Sequence, residues 1–320
     1  MPANPRIATL GEFMSYAAAS SIDVQAPQGR QVSVAAICKA LILLPIIVAL
    51  ALRGHLQPWV FMWLLAAAIF AECKAVSWSA ARDIARRAGW KRNAAYLFLW
   101  PGMNAQEFLD STACVSKPLA SEWLAALTKT LLGAACIWLG VRRTPHALLA
   151  AWVGMLGLIL LLHFGFFHVL SLAWRTAGIA APPIMQKPLR SESLSEFWGK
   201  RWNLGYRQLS HDWVFVPLKK AAGLAAAMIG AFLVSGLIHD FVISLPAHAG
   251  YGLPTAYFLL QGIGVMAEHT KLGIRAGLGH GFTGWLWTLF FTAGPAFWLF
   301  HPWFATRVML PSLRAIGAGC

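Results

Sequence analysis

Two stretches decide the fold: FWGKRWN at 197–203 and AAGLAAAMIGAFLVSGLIHDFVISL at 221–245. The first is aromatic and basic, whereas the second is long and apolar enough to span a bilayer. The second also carries His239, at a position where a leucine would cost nothing. Burying an ionisable group in lipid costs a few kcal/mol or more, so such a residue marks a candidate functional site. The two stretches predict a membrane helix with a polar site beside a basic surface segment.

The composition predicts a membrane protein. Of 320 residues, 58% are hydrophobic and only 12% are charged, about half the charged fraction of a soluble domain. Apolar runs near the ~20 residues that cross a bilayer recur along the chain and predict about seven spans. We therefore expect an all-α, polytopic integral membrane protein with a tail at 1–31 and one membrane domain at 32–315. The predicted spans are Val32–Leu52, Trp59–Ser79, Trp123–Val141, Ala147–Trp174, Ala221–Leu245, Leu253–Lys271 and Trp285–Phe304.

The distribution of charge predicts the orientation. The net charge is +14, but the basic residues fall between apolar runs, where they set topology and meet anionic headgroups. The loop 175–220 holds eight of the 26 lysines and arginines, the largest share of any loop. We therefore expect this loop and the N-terminus in the cytosol, although Arg142 and Arg143 run against that orientation. Because the charge is spread in this way, we expect a lipid bilayer as partner and no nucleic acid.

Cysteine and histidine spacing argues against a metal or a disulfide framework. The five cysteines form no CxxC pair, and most should be small core side chains. His163 and His168 are five residues apart, so they lie about 140° apart around a helix and share no metal face. We expect no metal and no cofactor. We also expect structural hydrogen bonding from these two histidines and from the other polar residues within the spans, which are Glu72, Lys74, Glu268 and His269.

The polar segment before the second stretch predicts short interfacial helices. Prolines exclude a regular helix over 181–188. Ser193 or Ser195 can cap a short helix that starts near Leu194, with Glu196 favourable in its first turn. The aromatic residues that follow alternate with basic ones, a pattern typical of helices at a headgroup boundary.

His239 and Asn203 have the functional groups needed for acyl transfer. An imidazole suits general-base work near neutral pH, and its natural target here is a hydroxyl, which can open a thioester once deprotonated. Asn203 can donate its amide to the developing oxyanion or orient the acceptor. Gly236 leaves room beside the imidazole for another helix or for a substrate, and Ser235 can hydrogen-bond the ring or a nearby group. Further back, Gly223, Ala227 and Gly230 predict a small-residue packing face.

With these motifs in view, the chain resembles the wax synthase branch of the membrane-bound O-acyltransferase family. The resemblance implies a bundle of about seven to nine transmembrane helices, acyl-CoA as the donor, an essential histidine matching His239 and its partner matching Asn203. One departure is Asp240, where the family commonly has glutamate. The resemblance rests on FWGKRWN and SGLIHD at their present spacing, YLFLWPGMNA (96–105), HFGFFHVLSLAWRTAGIAAPPIM (163–185), PAHAGYGLPTAYFLLQG (246–262) and HPWFATRVMLP (301–311), which cover most of 90–315.

Each candidate residue also has a purely structural interpretation. His239 can be an interhelical hydrogen-bond donor, Asn203 can cap the following turn, and basic residues of the 175–220 loop can simply orient the chain. The acceptor alcohol is open between a long-chain alcohol, a sterol and a terpenoid. A transporter with a histidine–glutamate path is the rival class, and the oligomeric state is open. The candidate substrate-binding residues are Trp198, Lys200, Arg201, Trp202, Arg207, Ser235 and Gly236.

Overall fold

A computed structural model describes residues 44–319, and this part of the chain is helical with no β-strand. Four of its helices are long and apolar enough to cross a membrane. The all-α membrane class is therefore confirmed, whereas the expected seven to nine spans exceed the four found here. In order, the helices are α1 (44–52), α2 (Pro58–Ala80), α3 (Arg82–Arg87), α4 (Gly89–Leu99), α5 (Ala105–Leu109), α6 (Ala120–Arg143), α7 (Ala147–Thr176), α8 (194–201), α9 (Leu204–Ala247), α10 (Leu253–Glu268), α11 (Lys271–Arg275), α12 (Gly281–Ala293), α13 (Ala296–Leu299) and α14 (302–315).

Three predicted spans correspond to helices long and apolar enough to cross a membrane, with ends within three residues of the prediction: the second is α2, the third is α6 and the fourth is α7. Most of the first predicted span lies outside the described residues. The sixth corresponds to α10, which has only 16 residues. The seventh is wrong as a single helix, because the helix is interrupted at Gly294–Pro295 and again at Phe300–His301, so the predicted span covers parts of α12, α13 and α14.

Small residues let α6 and α7 approach closely. A Cβ atom added to Gly133 would lie 2.5 Å from the backbone nitrogen of Leu161. A Cβ atom on Gly157 would lie 2.8 Å from the side chain of Ile137, which is fully buried. Close backbone contact of this kind is how helices associate in lipid, where no hydrophobic driving force acts between them.

Helix α9 is bent at Gly223. Its φ of 85° and ψ of 178° are not helical and suit glycine alone. The predicted packing face is therefore wrong at Gly223, which breaks the helix instead of lining it. Gly230 does meet a neighbour, since a Cβ atom there would lie 2.3 Å from the side chain of Leu218. The membrane-spanning part of α9 thus starts after the bend, close to the predicted start at Ala221.

Helices α9 and α10 form an antiparallel pair joined by a tight turn. His248, Gly250 and Gly252 all have positive φ in this turn, which reverses the chain within a few residues. A Cβ atom on Gly236 of α9 would lie 2.7 Å from the Cα atom of Thr255. This close contact fixes the height of α10 relative to the second half of α9.

The segment before α9 has the predicted irregular form. Residues 181–187 form no helix, and a single 3₁₀ turn follows at Pro188–Arg190. The cap prediction for α8 is also confirmed: the helix starts at Leu194, and the Ser193 hydroxyl accepts a 2.9 Å hydrogen bond from the Glu196 backbone N–H. Its second half, Phe197–Arg201, is wound as a wider π-helical turn. Such turns are rare and often occur at functional sites.

Candidate active site

The tautomer of His239 is fixed by its own helix. Its Nδ1 atom lies 2.7 Å from the carbonyl oxygen of Ser235, one turn earlier on α9. A carbonyl oxygen only accepts hydrogen bonds, so Nδ1 carries the proton and Nε2 keeps its lone pair. Within residues 44–319, Nε2 has no hydrogen-bond partner, and it is not among the atoms sealed from solvent. The ring is thus oriented with a basic nitrogen available to a substrate.

Ser235 and Gly236 surround the imidazole in ways that the sequence left open. The Ser235 hydroxyl donates a 3.0 Å bond to the carbonyl of Ala231, so it is the backbone carbonyl of Ser235 that contacts the histidine. The room beside Gly236 is taken by the backbone of Thr255 in α10. Of the two occupants expected for this space, another helix or a substrate, it is the helix α10 that lies against Gly236.

An aromatic wall connects His239 with the FWGKRWN stretch. The Phe258 ring of α10 lies 4.4 Å from the His239 ring, centroid to centroid, and the Trp198 ring lies 5.6 Å from Phe258. The Trp198 indole N–H donates a 3.3 Å bond to the side-chain carbonyl of Gln261, which is fully buried. The two stretches singled out from the sequence are therefore joined through Trp198 and Phe258.

Asp240, next to the histidine, clamps the start of α10. One carboxylate oxygen accepts bonds from the Gly252 backbone N–H at 2.9 Å and from the Ser244 hydroxyl at 2.7 Å. The other oxygen accepts from the Thr255 backbone N–H at 3.2 Å and from the Thr255 hydroxyl. The carboxylate thus serves as an N-cap supplied by the neighbouring helix. It holds α10, and with it Phe258, against α9.

His301 supports this clamp from the beginning of α14. Its Nδ1 accepts a 3.1 Å bond from the Phe304 backbone N–H, so the proton lies on Nε2, which faces the Ser244 hydroxyl at 3.4 Å. The side chain is fully buried. His301 lies in one of the family-like motifs, but its role was not predictable, because a contact between residues 57 positions apart leaves no local pattern in the sequence.

Asn203 adopts a left-handed backbone conformation, with φ 45° and ψ 52°. It precedes the first turn of α9, yet its side chain makes no capping hydrogen bond. The capping alternative is therefore not realised. No hydrogen bond joins Asn203 to His239 in the described part of the chain, and the proposed pairing of the two side chains stays a prediction. Asparagine is among the few residues that tolerate this conformation, and its amide is free of local partners there.

The basic residues of FWGKRWN and the following helix differ in what they contact. Arg201 forms a 2.6 Å ion pair with Glu196 and also donates to the carbonyl of Gln186 at 3.3 Å. Arg207 donates a 2.9 Å bond to the carbonyl of Gly199. Lys200 is exposed and makes no hydrogen bond or ion pair within residues 44–319. The two guanidinium groups therefore hold the local fold, and Lys200 is the one of the three that points to solvent.

Trp202 packs between two elements. Its ring stacks on Phe197 at 5.3 Å with an interplanar angle of 14°, and its edge meets Phe164 of α7 at 6.3 Å. These contacts join FWGKRWN to the fourth predicted span. The roles of Trp198 and Trp202 in substrate binding stay predictions.

The expected structural hydrogen bonding of the other intramembrane polar residues holds only in part. Glu268 accepts from the backbone N–H groups of Leu194 and Ser195 and from the Ser195 hydroxyl, whose oxygen also lies 3.1 Å from His269. In contrast, the expected hydrogen bonds are missing for three buried atoms. Nδ1 of His163, Nε2 of His168 and Oε1 of Glu72 have no hydrogen-bond partner in the described part of the chain, so the expectation is wrong for these atoms. Within the same part, no group of three or more histidine, cysteine, aspartate or glutamate side chains could hold a metal ion.

Comparison with known proteins supports the resemblance over the part of the chain that carries this geometry. Residues 181–260, which include Asn203 and His239, match the membrane bound O-acyl transferase family. The "Probable long-chain-alcohol O-fatty-acyltransferase 3" of Arabidopsis thaliana is 31% identical over 122 residues, 35% of this chain and 36% of that protein. The "Long-chain-alcohol O-fatty-acyltransferase" of Simmondsia chinensis is 30% identical over 106 residues, 30% of each chain.

The predicted similarity to the wax synthase branch is thereby confirmed. The alignments cover 36% and 30% of these two relatives, so this chain matches about a third of the length of the curated relatives. The residues that match the family, 181–260, include α8, α9 and the first half of α10, which meet around the imidazole of His239.

Proposed function

We propose that the protein is an O-acyltransferase that moves an acyl group from acyl-CoA to the hydroxyl of a lipophilic alcohol. The observation that carries this proposal is the hydrogen bond from His239 Nδ1 to the Ser235 carbonyl, because it leaves Nε2 as an oriented base in an apolar helix. The names of the relatives, long-chain-alcohol O-fatty-acyltransferases, favour a long-chain alcohol as acceptor and a wax ester as product. A sterol or terpenoid alcohol is the alternative acceptor.

In the proposed reaction, Nε2 of His239 takes the hydroxyl proton as the alcohol oxygen attacks the thioester carbonyl. The Asn203 amide donates a hydrogen bond to the resulting oxyanion. Collapse of this intermediate breaks the carbon–sulfur bond and releases CoA as a thiolate. The thiolate takes the proton from His239, and the ester and neutral histidine remain. No covalent acyl-enzyme and no metal are needed.

The donor and the acceptor are proposed to arrive from different phases. CoA carries several phosphate charges and cannot enter lipid, so its head lies on the cytosolic side with the 175–220 loop and the N-terminus. Lys200 is the basic residue of FWGKRWN that is exposed for a phosphate. The alcohol enters laterally from the bilayer, and the wall made by Trp198 and Phe258 contacts its chain or the acyl chain.

The test is ester formation by purified protein from labelled acyl-CoA and hexadecanol in lipid vesicles, with a sterol and a terpenoid alcohol in parallel. His239→Ala should lower the rate by ~10²–10⁴-fold, the usual effect of removing a general base. His163→Ala is the matched control, because His163 is another histidine of an apolar helix and lies outside this site. Wild-type protein that forms no ester with any alcohol would refute the proposal, as would a His239→Ala variant as active as the control.

A further inference from the structure

Lys74 is a buried cation that the proposed reaction does not use. It lies in α2 with only 2% of its surface exposed. Its ammonium donates a 2.6 Å hydrogen bond to the carbonyl of Gly102 and lies 3.5 Å from the centroid of the Tyr96 ring. No carboxylate in the described part of the chain pairs with it. A lysine is expensive at such a position, so its contacts should reveal what it is for.

A second side chain of α2 grips the same turn. Ser77, about one helical turn after Lys74, donates to the carbonyl of Met103 and accepts a 2.9 Å bond from the Tyr96 hydroxyl. Burial raises the pKa of the Tyr96 phenol to about 12, so its hydroxyl stays protonated and donates. Helix α2 thus fixes two successive carbonyl groups, those of Gly102 and Met103. Both belong to the WPGMN turn between α4 and α5.

The WPGMN turn, held by α2, in turn contacts the backbone around Asn203. The Met103 N–H donates a 3.2 Å bond to the carbonyl of Gly205, and a Cβ atom on Gly205 would lie 3.5 Å from the Cα atom of Gly102. The opposite side is held by the 184–185 segment, whose Ile184 carbonyl accepts a 2.9 Å bond from the Leu204 N–H. The peptide that carries Asn203 is therefore clamped between two segments.

The backbone at Asn203 has a conformation that depends on such surrounding contacts. A left-handed conformation is uncommon for a residue with a side chain and persists when surrounding contacts hold it. Among the described residues, the Asn203 N–H has the sulfur atom of Met185, at 3.2 Å, as its acceptor and no oxygen atom. The backbone that follows Asn203 is therefore restrained by two bonds, from Leu204 to Ile184 and from Met103 to Gly205, and the second depends on a turn that Lys74 anchors.

We propose that Lys74 is a positioning residue for Asn203. Its ammonium holds the Gly102 carbonyl, which sets the WPGMN turn, and the turn sets the backbone that aims the Asn203 amide. The inference rests on the proposed function, because it concerns how the oxyanion donor is placed. Lys74 itself is buried behind the turn and does not touch a substrate.

The proposal is tested by a double-mutant cycle in ester formation with Lys74→Met, Asn203→Ala and the combined variant. Methionine keeps the length of the side chain and removes its ammonium. Lys74→Met should lower kcat by about tenfold or more, because small misplacements of a reacting group are costly, while both KM values hold within about twofold. Without the Asn203 amide there is nothing left to position, so the double variant should match Asn203→Ala within about twofold.

A matched pair on α2 separates positioning from general packing. Ser77→Ala removes a donor to the turn and should lower kcat in the same direction. Ser79 lies two residues further on and its hydroxyl donates at 2.8 Å to Val76 of its own helix, so Ser79→Ala should leave kcat unchanged. If Lys74→Met cannot be purified as monodisperse protein, Ser77→Ala takes its place in the cycle with Asn203→Ala.

Three results would overturn the proposal: losses that multiply in the double variant, an unchanged kcat in Lys74→Met, or an Asn203→Ala variant with full activity. Each of these requires an active wild-type enzyme. The first two would leave the proposed reaction standing, and the third would also remove Asn203 as the oxyanion donor while leaving acyl transfer with His239 as the base. A wild-type protein that makes no ester would refute the proposed function itself, and the role of Lys74 with it.

Discussion

Replacing Asp240 by asparagine tests whether the residue beside the histidine acts as a clamp. The carboxylate accepts from two backbone N–H groups, of Gly252 and Thr255, and from the hydroxyls of Ser244 and Thr255. Asparagine offers one acceptor oxygen and turns the other position into a donor. At least one backbone N–H then loses a charged acceptor, which costs about 1.5–3 kcal/mol.

The same change should reach the imidazole, although Asp240 performs no chemistry in the proposed reaction. If the start of α10 shifts, Phe258 no longer packs at 4.4 Å from the His239 ring. A displacement of the order of 1 Å near reacting groups can lower a rate by about 10²-fold. We therefore expect Asp240→Asn to lower both the unfolding temperature and kcat, with a smaller change in the KM for the donor.

The assay combines thermal unfolding in detergent with initial rates of ester formation. Ser244→Ala is the matched control, because it leaves the α10 backbone capped while it removes one contact of Asp240 and the hydroxyl that His301 faces. It should cost about 1–3 kcal/mol and little activity. Should the two variants prove equal in both measurements, the clamp would have no special role and the reasoning would fail.

Asp240→Glu extends this test to the glutamate that the family resemblance leads one to expect. The charge is kept, but the side chain is one methylene longer. The longer side chain would push α10 away from α9 and would break the close packing of Gly236 against Thr255, where an added Cβ atom would lie at 2.7 Å. We expect Asp240→Glu to lower the unfolding temperature and kcat as well. Wild-type activity in this variant would show that the aspartate is interchangeable with glutamate.

Two further predictions concern the FWGKRWN side of the site. Lys200→Ala should raise the KM for acyl-CoA and make this KM less sensitive to salt, at unchanged stability. Arg201→Ala should mainly lower the unfolding temperature, because it breaks the ion pair with Glu196. Kinetics at two ionic strengths and thermal unfolding of both variants test this, and an unaltered KM in Lys200→Ala would remove this lysine from the donor site. Glu268→Gln should destabilise the protein at α8 by about 1–3 kcal/mol, because it weakens the acceptor for the backbone N–H groups of Leu194 and Ser195. Ser193→Ala removes a single cap and should cost only ~1 kcal/mol. Equal unfolding temperatures for the two variants would contradict this.

Local chemistry made much of this fold predictable. The limits of α2, α6 and α7 follow from apolar length, and the start of α8 follows from a serine cap with glutamate in the first turn. The bend at Gly223 was missed because glycine serves two purposes that look alike in a sequence. It can bring helices together or supply a positive φ, and only the surrounding backbone decides between them.

The candidate site was predictable in its members more than in its contacts. His239 stands out as an ionisable group in an apolar run, and Trp198 lies in a recognisable stretch. The grip of Lys74 on Gly102 joins residues 28 positions apart, and the clamp from Asp240 to Thr255 spans 15. Hydrophobic periodicity indicates which face of a helix is buried, but it does not indicate which carbonyl or N–H group that face will contact. Such hydrogen-bond pairs can therefore be identified only in the folded structure.

The ionisable residues of the apolar helices divide by whether their bonding capacity is already used. Asp240 and Glu268 have their carboxylate oxygens occupied by backbone donors, and Lys74 is committed to a carbonyl. The hydrogen bonds of these groups hold backbone segments, which suits lipid because an unpaired backbone group is costly there. A group that must exchange a proton with a substrate needs the opposite, an oriented atom with no partner. Within residues 44–319, Nε2 of His239 has no hydrogen-bond partner and its residue is only partly buried, whereas the unpartnered nitrogen of His163 is sealed inside the protein.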